Sequence, residues 1–156
     1  MQFICFFCLN LLQAMQRQPR LQIKLPTILK INTMLKEGLE YISTVTVSRE
    51  NCASAMGSGN LDVFATPSMV ALMENAAMNA VAPYLPAGST TVGAEIKTTH
   101  QKPSPLGAEI RAKAILSAIE GRKLIFYVEA YEGDSCIGKG THIRFIVDVE
   151  RFMAKL

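Results

Sequence analysis

Between Val63 and Tyr84 apolar residues crowd the chain, and only Ser68, Glu74, Asn75 and Asn79 are polar between Pro67 and Ala82. Met69, Leu72, Met73, Ala76, Ala77 and Ala80 recur at three- and four-residue spacing, which predicts a helix with a buried stripe. Thr66 is expected as its N-cap, Pro67 at the first helical position and Pro83 at its close. A helix apolar nearly all round belongs in a core. A carboxylate on it needs a reason, because an unpaired buried charge is costly. That singles out Glu74.

On either side the pattern changes to alternation. Tyr41–Ser48 is rich in β-branched residues and predicts a strand, followed by a small, polar stretch at Asn51–Asn60 expected as a loop. Beyond the helix, strands are predicted at Thr90–His100, Ala108–Ala118, Lys123–Tyr131 and Cys136–Val149. Turn signals separate the last four at 102–107, 120–122 and 132–135. Val92, Ala94, Ile96 and Thr98 are expected on one face with His100, and Glu95 and Lys97 on the other. Ile110, Ala112, Ala114, Leu116 and Ala118 oppose Glu109, Arg111 and Lys113 in the same way. One apolar face and one wet face describe an antiparallel sheet covered on one side. The expected class is α+β, with a sheet packed on a single helix. One helix covers only part of such a sheet, and this one is apolar beyond a single stripe, so a dimer is expected.

Composition adjusts this picture at its N-terminal end. The chain has 156 residues, 49% hydrophobic and 19% charged, with a formal net charge of +3. That suits one domain with a substantial core. Residues 1–33 hold Arg17, Arg20, Lys24 and Lys30 and no acid, whereas residues 34–156 hold 12 basic and 13 acidic residues, a balance of −1. The body therefore offers no basic surface of the kind nucleic acid requires. Met1–Met15 is apolar but shorter than the ~20 residues that span a bilayer, and no membrane association is expected. It also lacks the preceding charge and cleavage site of a secretory signal. Residues 1–33 are expected as an extension outside the fold and 34–156 as the domain; the rival reading is a targeting or membrane-surface segment. Cys5, Cys8, Cys52 and Cys136 are too scattered for a disulfide framework. Cys5 and Cys8 have no second Cys/His pair to complete a zinc site. A reduced, cytoplasmic protein without a metal or other cofactor is expected.

Candidate chemistry rests on Thr66 at the helix start, Glu74 two turns further in and His100 at a strand end. A hydroxyl, a carboxylate and an imidazole are the parts of an acyl-transfer site. Each also has a plain alternative: a cap, a solvent-facing acid and a strand-end residue. His142 shares a face with Arg144 and Asp148 and reads as structural or surface. No Gly-rich phosphate loop, G-x-S-x-G elbow or H-E-x-x-H is present.

The run Val63-Phe64-Ala65-Thr66, with Met69-Val70, Leu72-Met73-Glu74 and Ala82-Pro83-Tyr84-Leu85, resembles the fluoroacetyl-CoA thioesterase group of the hotdog-fold superfamily. Thr99-His100, Glu120-Gly121-Arg122, Gly140-Thr141-His142 and Phe152 continue the resemblance, which covers Lys36 to the C-terminus. It implies a hotdog fold, a curled antiparallel sheet around one long central helix, paired as a homodimer with active sites at the interface. It places the catalytic threonine, glutamate and histidine on Thr66, Glu74 and His100. Gly93 would meet the thioester oxygen through its main-chain N–H, and Val63 and Phe64 would line the substrate site. One departure stands out. The fluoroacetyl-specific members carry lid phenylalanines just before Val-Phe-Ala-Thr, whereas residues 55–62 here contain no aromatic. The expected activity is hydrolysis of a short or medium acyl-CoA to a carboxylate and free CoA, by a homodimer or a higher homo-oligomer. The alternatives are a non-catalytic acyl-CoA-binding dimer and a hotdog enoyl-CoA hydratase.

Overall fold

The computed structural model describes residues 34–156; the expectations for residues 1–33, including Cys5 and Cys8, lie outside them. Five strands form one antiparallel sheet: β1 (Glu40–Thr46), β2 (Ser89–His100), β3 (Glu109–Glu120), β4 (Lys123–Glu132) and β5 (Ser135–Asp148). Their order is β1-β3-β4-β5-β2. All the expected strands are present, with every end within two residues of its expected place. The short turns after β3 and β4 use Gly121 at φ 62° and Gly133 at φ 55°, a region open to glycine at little cost.

The stretch expected as a plain loop is more ordered than its polar composition suggests. It begins on the last residue of a 3-10 turn, Arg49–Asn51, and holds a short helix, α1 (Ala53–Met56). The Ser48 N–H donates to Asn51 Oδ1 at 2.8 Å, and the Ala53 N–H to the Val63 carbonyl at 2.9 Å. Gly57 then ends α1 in the left-handed region at φ 66°, the usual helix stop.

The central helix, α2, spans Thr66–Val81. It is built largely from alanine, methionine and leucine, which favour helix. Its buried side chains are Met69, Met73, Ala76, Ala77, Ala80 and Val81. They pack on Ala112, Ala114 and Leu116 of β3 and Leu124, Phe126 and Val128 of β4, the alternating inward positions of both strands. The opposite side of α2 is more open: Ala71 and Asn75 are exposed and Leu72 half-buried.

The start of α2 differs from expectation. Thr66 is its first residue, Ala65 is the N-cap, and no side chain caps the end. Pro67 is thus the second helical residue, still within the first turn where N–H groups lack helical partners.

Strand β2 also departs from simple alternation. Its pairing with β5 slips between Gly93 and Glu95, leaving Ala94 as a bulge. An extra residue reverses the facing of everything before it. Thr91 and Gly93, not Val92 and Ala94, therefore share the helix-side face with Ile96, Thr98 and His100. Further along, a Cβ on Gly138 of β5 would lie 2.5 Å from the Thr99 carbonyl and 2.7 Å from Met69 Sδ. The missing side chain lets α2 and the His100 end of β2 close onto β5.

Candidate active site

Thr66 and His100 meet. The first residue of α2 and the last residue of β2 place Thr66 Oγ1 2.9 Å from His100 Nδ1. The hydroxyl that was expected to cap the helix serves the imidazole instead. His100 Nε2 is buried and has no hydrogen-bond partner, an arrangement that native interiors seldom leave unused. Burial pushes the His100 pKa below its usual 6.5, and the Lys102 main chain opposes this in part. The imidazole is therefore neutral at neutral pH, with one nitrogen to accept and one to donate. A cleft of about 260 Å³ opens beside the pair, lined by Ser58, Val63, Phe64 and Lys102 among others. Val63 is half-buried and Phe64 fully buried. Both are pinned to the loop before β3, through a Val63–Pro105 bridge and the Phe64 N–H to the Ser104 carbonyl at 2.9 Å.

Glu74 stands elsewhere on the same chain. Eight residues of helix separate it from Thr66, about 12 Å of rise, and it does not join the Thr66–His100 pair. Its side chain, 39% exposed, has Oε1 3.4 Å from His142 Nε2 and 3.8 Å from Arg144 Nη1. His142, expected to be structural or surface, is 1% exposed and faces the carboxylate. Arg144 is 6% exposed. These two residues are the part of the site that strand alternation alone did not reveal. The usable signal was a histidine and an arginine two apart on the same face as the sheet's apolar side.

The network around Glu74 is fixed in detail. Arg144 Nε donates to Thr91 Oγ1 at 2.9 Å, Nη2 to the Thr91 carbonyl at 2.8 Å, and Nη1 lies 3.1 Å from His142 Nε2. His142 Nδ1 donates to the Glu95 carbonyl at 2.8 Å, which assigns its proton to Nδ1 and leaves Nε2 to accept from Arg144. Burial is the main cause that lowers the His142 pKa; the Arg144 charge lowers it further, while the Glu95 carbonyl and Glu74 raise it. His142 is thus a neutral spacer and Arg144 the cation that compensates Glu74. The Arg144 pKa is also lowered by burial, with Glu74 opposing.

Gly93 completes this second cluster. A Cβ built on it collides with Glu74 Oε1 and comes within 3.2 Å of His142 Cε1 and 3.6 Å of Arg144 Nη1. Only glycine leaves the carboxylate room. The bulge at Ala94 turns Gly93 to the helix side, so the irregularity of β2 builds the cluster.

Chemically, the chain carries a neutral imidazole with a hydroxyl partner at one place. At another it carries an oriented carboxylate against a glycine backbone.

The chain is also similar to known proteins. Residues 47–150 match the family model described as fluoroacetyl-CoA-specific thioesterase. The fluoroacetyl-CoA thioesterase of Streptantibioticus cattleyicolor is 43% identical over 95 residues, 61% of this chain and 68% of that protein. A crystal structure of a point mutant of the fluoroacetyl-CoA-specific thioesterase superposes with a TM-score of 0.73 at 34% identity, covering 78% of this chain and 94% of that one. A hot-dog-like protein from Thermanaerovibrio acidaminovorans shares the fold, with a TM-score of 0.71 at 18% identity over 81% of this chain and 93% of its own. The fold is a hotdog, and the chain belongs to the fluoroacetyl-CoA-specific thioesterase family.

Proposed function

We propose that the chain is an acyl-CoA thioesterase that works as a homodimer. Each active site joins Thr66 and His100 of one protomer to Glu74 and Gly93 of the other. The observation that carries this reading is the separation of the two clusters along β2. Among the described residues that strand pairs with β5 on one side only and ends the sheet, leaving a 12-residue edge open. An open edge of that length is a template for pairing. Antiparallel pairing of β2 with its own copy sets the late half of one strand beside the early half of the other. His100 of one protomer is thereby brought toward the partner's Gly93 and the partner's Glu74.

In that site Thr66 donates its hydroxyl proton to His100 Nδ1, which keeps the imidazole proton on the buried Nε2. Glu74, held by Arg144, takes the proton from water as it attacks the thioester carbonyl, or attacks the carbonyl itself. Trapping an acyl-Glu74 anhydride in a single turnover distinguishes the two routes. The Gly93 N–H stabilises the oxyanion, the His100 Nε2–H hydrogen-bonds the departing thiolate sulfur, and the proton that water released to Glu74 neutralises that thiolate, which leaves the imidazole neutral throughout. The products are a carboxylate and free CoA.

No aromatic ring from residues 55–62 can close over the cleft. Behind Phe64 a second cleft of about 460 Å³, lined by Val45, Met56 and Leu72 among others, leaves room for a longer acyl chain. Short and medium acyl-CoA esters are the proposed substrates, with little preference for fluoroacetyl over acetyl. One contact of a methylene's size discriminates by about 1–3 kcal/mol, so a kcat/KM ratio above about 10³ between these two thioesters overturns that assignment. The active unit is residues 34–156. The proposed location is the cytoplasm, which the free thiols of Cys52 and Cys136 among the described residues support. No helix among those residues is long and apolar enough to cross a membrane.

The test is complementation. Glu74→Gln and His100→Ala are each inactive as homodimers. Unfolded together and refolded at equal amounts, they form mixed dimers with one intact site of two. About a quarter of wild-type thiol release then returns. No recovery, with mixed dimers present and wild type active, rules out the shared site.

A further inference from the structure

Of the two histidines in the chain, His100 meets the substrate in the proposed reaction and His142 does not. His142 is nevertheless the more enclosed, at 1% exposure. It stands opposite Ile96 of β2 and Phe126 of β4, just past the bulge. The Phe126 ring covers one side of it, with centroids 6.4 Å apart. Several parts of the Glu74 cluster converge on the imidazole. Nδ1 lies 2.8 Å from the Glu95 carbonyl, and Nε2 lies 3.1 Å from Arg144 Nη1 and 3.4 Å from Glu74 Oε1. A Cβ on Gly93 would come within 3.2 Å of Cε1, so the ring edge rests against bare glycine backbone.

The bond to Glu95 stands out by its place. A bulge interrupts the ladder, and main-chain groups beside it need other partners. The Glu95 carbonyl is the first beyond Ala94, and a side chain of the neighbouring strand takes it. That bond ties β2 to β5 where their register slips. Gly93 lies two residues back on the same strand, so the direction of its N–H depends on how the Ala94 segment is held.

From this we infer that His142 is a positioning residue: its Nδ1–H pins the bulge of β2 and so aims the Gly93 N–H at the substrate oxygen. The inference rests on the thioesterase reading, in which that N–H stabilises the oxyanion. The Nε2 side of the ring has the lesser part. Arg144 is also held by Thr91 through Nε and Nη2, so it keeps its place beside Glu74 without the imidazole. Among the described residues, no other side chain bonds the Glu95 carbonyl.

Two replacements separate the two nitrogens. In His142→Asn the amide N–H stands near the place of Nδ1–H and keeps the Glu95 bond. In His142→Gln the amide reaches the Nε2 position and the Glu95 bond is lost. With acetyl-CoA, His142→Gln should lower kcat about 10²-fold, as for one misplaced oxyanion donor, with KM within about threefold of wild type. His142→Asn should hold kcat within about fivefold of wild type, the cost of one hydrogen bond to Arg144. The reverse order, equal effects of the two, or a change in KM rather than kcat overturns the assignment. Nitrogen-15 spectra of the imidazoles in wild type and in His100→Ala need no replacement at position 142. At neutral pH His142 should carry its proton on Nδ1, and a proton on Nε2 overturns the pin. Absence of thiol release by wild type defeats the thioesterase reading instead, and the spectra still decide whether Nδ1–H is there to hold Glu95.

Discussion

The start and the middle of the central helix hold two polar clusters that are built in opposite ways. At its start, Thr66 and His100 form a bare pair: one hydrogen bond, an open cleft and a buried nitrogen with nothing attached. Two turns on, Glu74 is surrounded by supports, with Arg144 locked to Thr91, His142 locked to the Glu95 carbonyl, and Gly93 kept free of a side chain. The difference follows charge. A neutral imidazole costs little to bury, whereas a carboxylate beside buried groups needs a fixed counter-charge. The first cluster is open to a partner, and the second is already organised within one chain.

The largest test of this contrast is Glu74→Gln. It keeps shape and neighbours but removes the anion. Turnover should fall by about 10²–10⁴-fold, read as thiol release, with an unchanged far-ultraviolet spectrum. Near-normal turnover would mean that the well-supported cluster is only structural. Gly93→Ala comes next. Its methyl displaces the Glu74 carboxylate, and a displacement of that order costs about 10²-fold in kcat/KM. An alanine variant at full activity would show that the carboxylate position is not critical.

Acidification probes both clusters together. His100 and His142 have pKa values lowered by burial, so below 6.5 the unfolded chain binds protons that the folded chain refuses. Stability is then full above about 6.5 and falls as pH drops through the folded values. The acid limb of kcat/KM should likewise sit below 6.5, since His100 must stay neutral. A thermal midpoint that is flat from pH 7 to 5, or a limb above 6.5, contradicts this. Thr66→Ala should give the smallest effect. Because Ala65 holds the cap position, stability should stay within about 0.5 kcal/mol. The lost hydroxyl contact, near 1 kcal/mol, should lower kcat about fivefold. A stability loss above 1 kcal/mol would restore the capping role.

The sequence made the helix and all five strands legible because their apolar periods are strong and their turns carry glycine. Thr66, Glu74 and His100 were visible as polar exceptions on apolar elements. His142 and Arg144 were not, since a polar pair on a strand looks the same whether it faces water or a carboxylate; only the position of Glu74 on α2 settles it. The Ala94 bulge was hidden for a related reason. Val92-Gly93-Ala94 is small and unmarked, and parity counted back from His100 gives the wrong face until the extra residue is included. The helix start was misplaced by one residue because Thr-Pro satisfies the capping pattern from either register.

That single extra residue makes β2 behave like text read in frames. Ala94 is a spacer that lets two groups of side chains, each two-fold periodic, be read from the same face of one strand. Its identity matters little, but its presence is decisive. Most substitutions at Ala94 leave the frame intact. Deleting it turns Thr91 and Gly93 away from the helix while Ile96 to His100 stay put, parting Arg144 from its Thr91 hydroxyl and Glu74 from its glycine. In this family member, deleting that one small residue is a heavier change than replacing it.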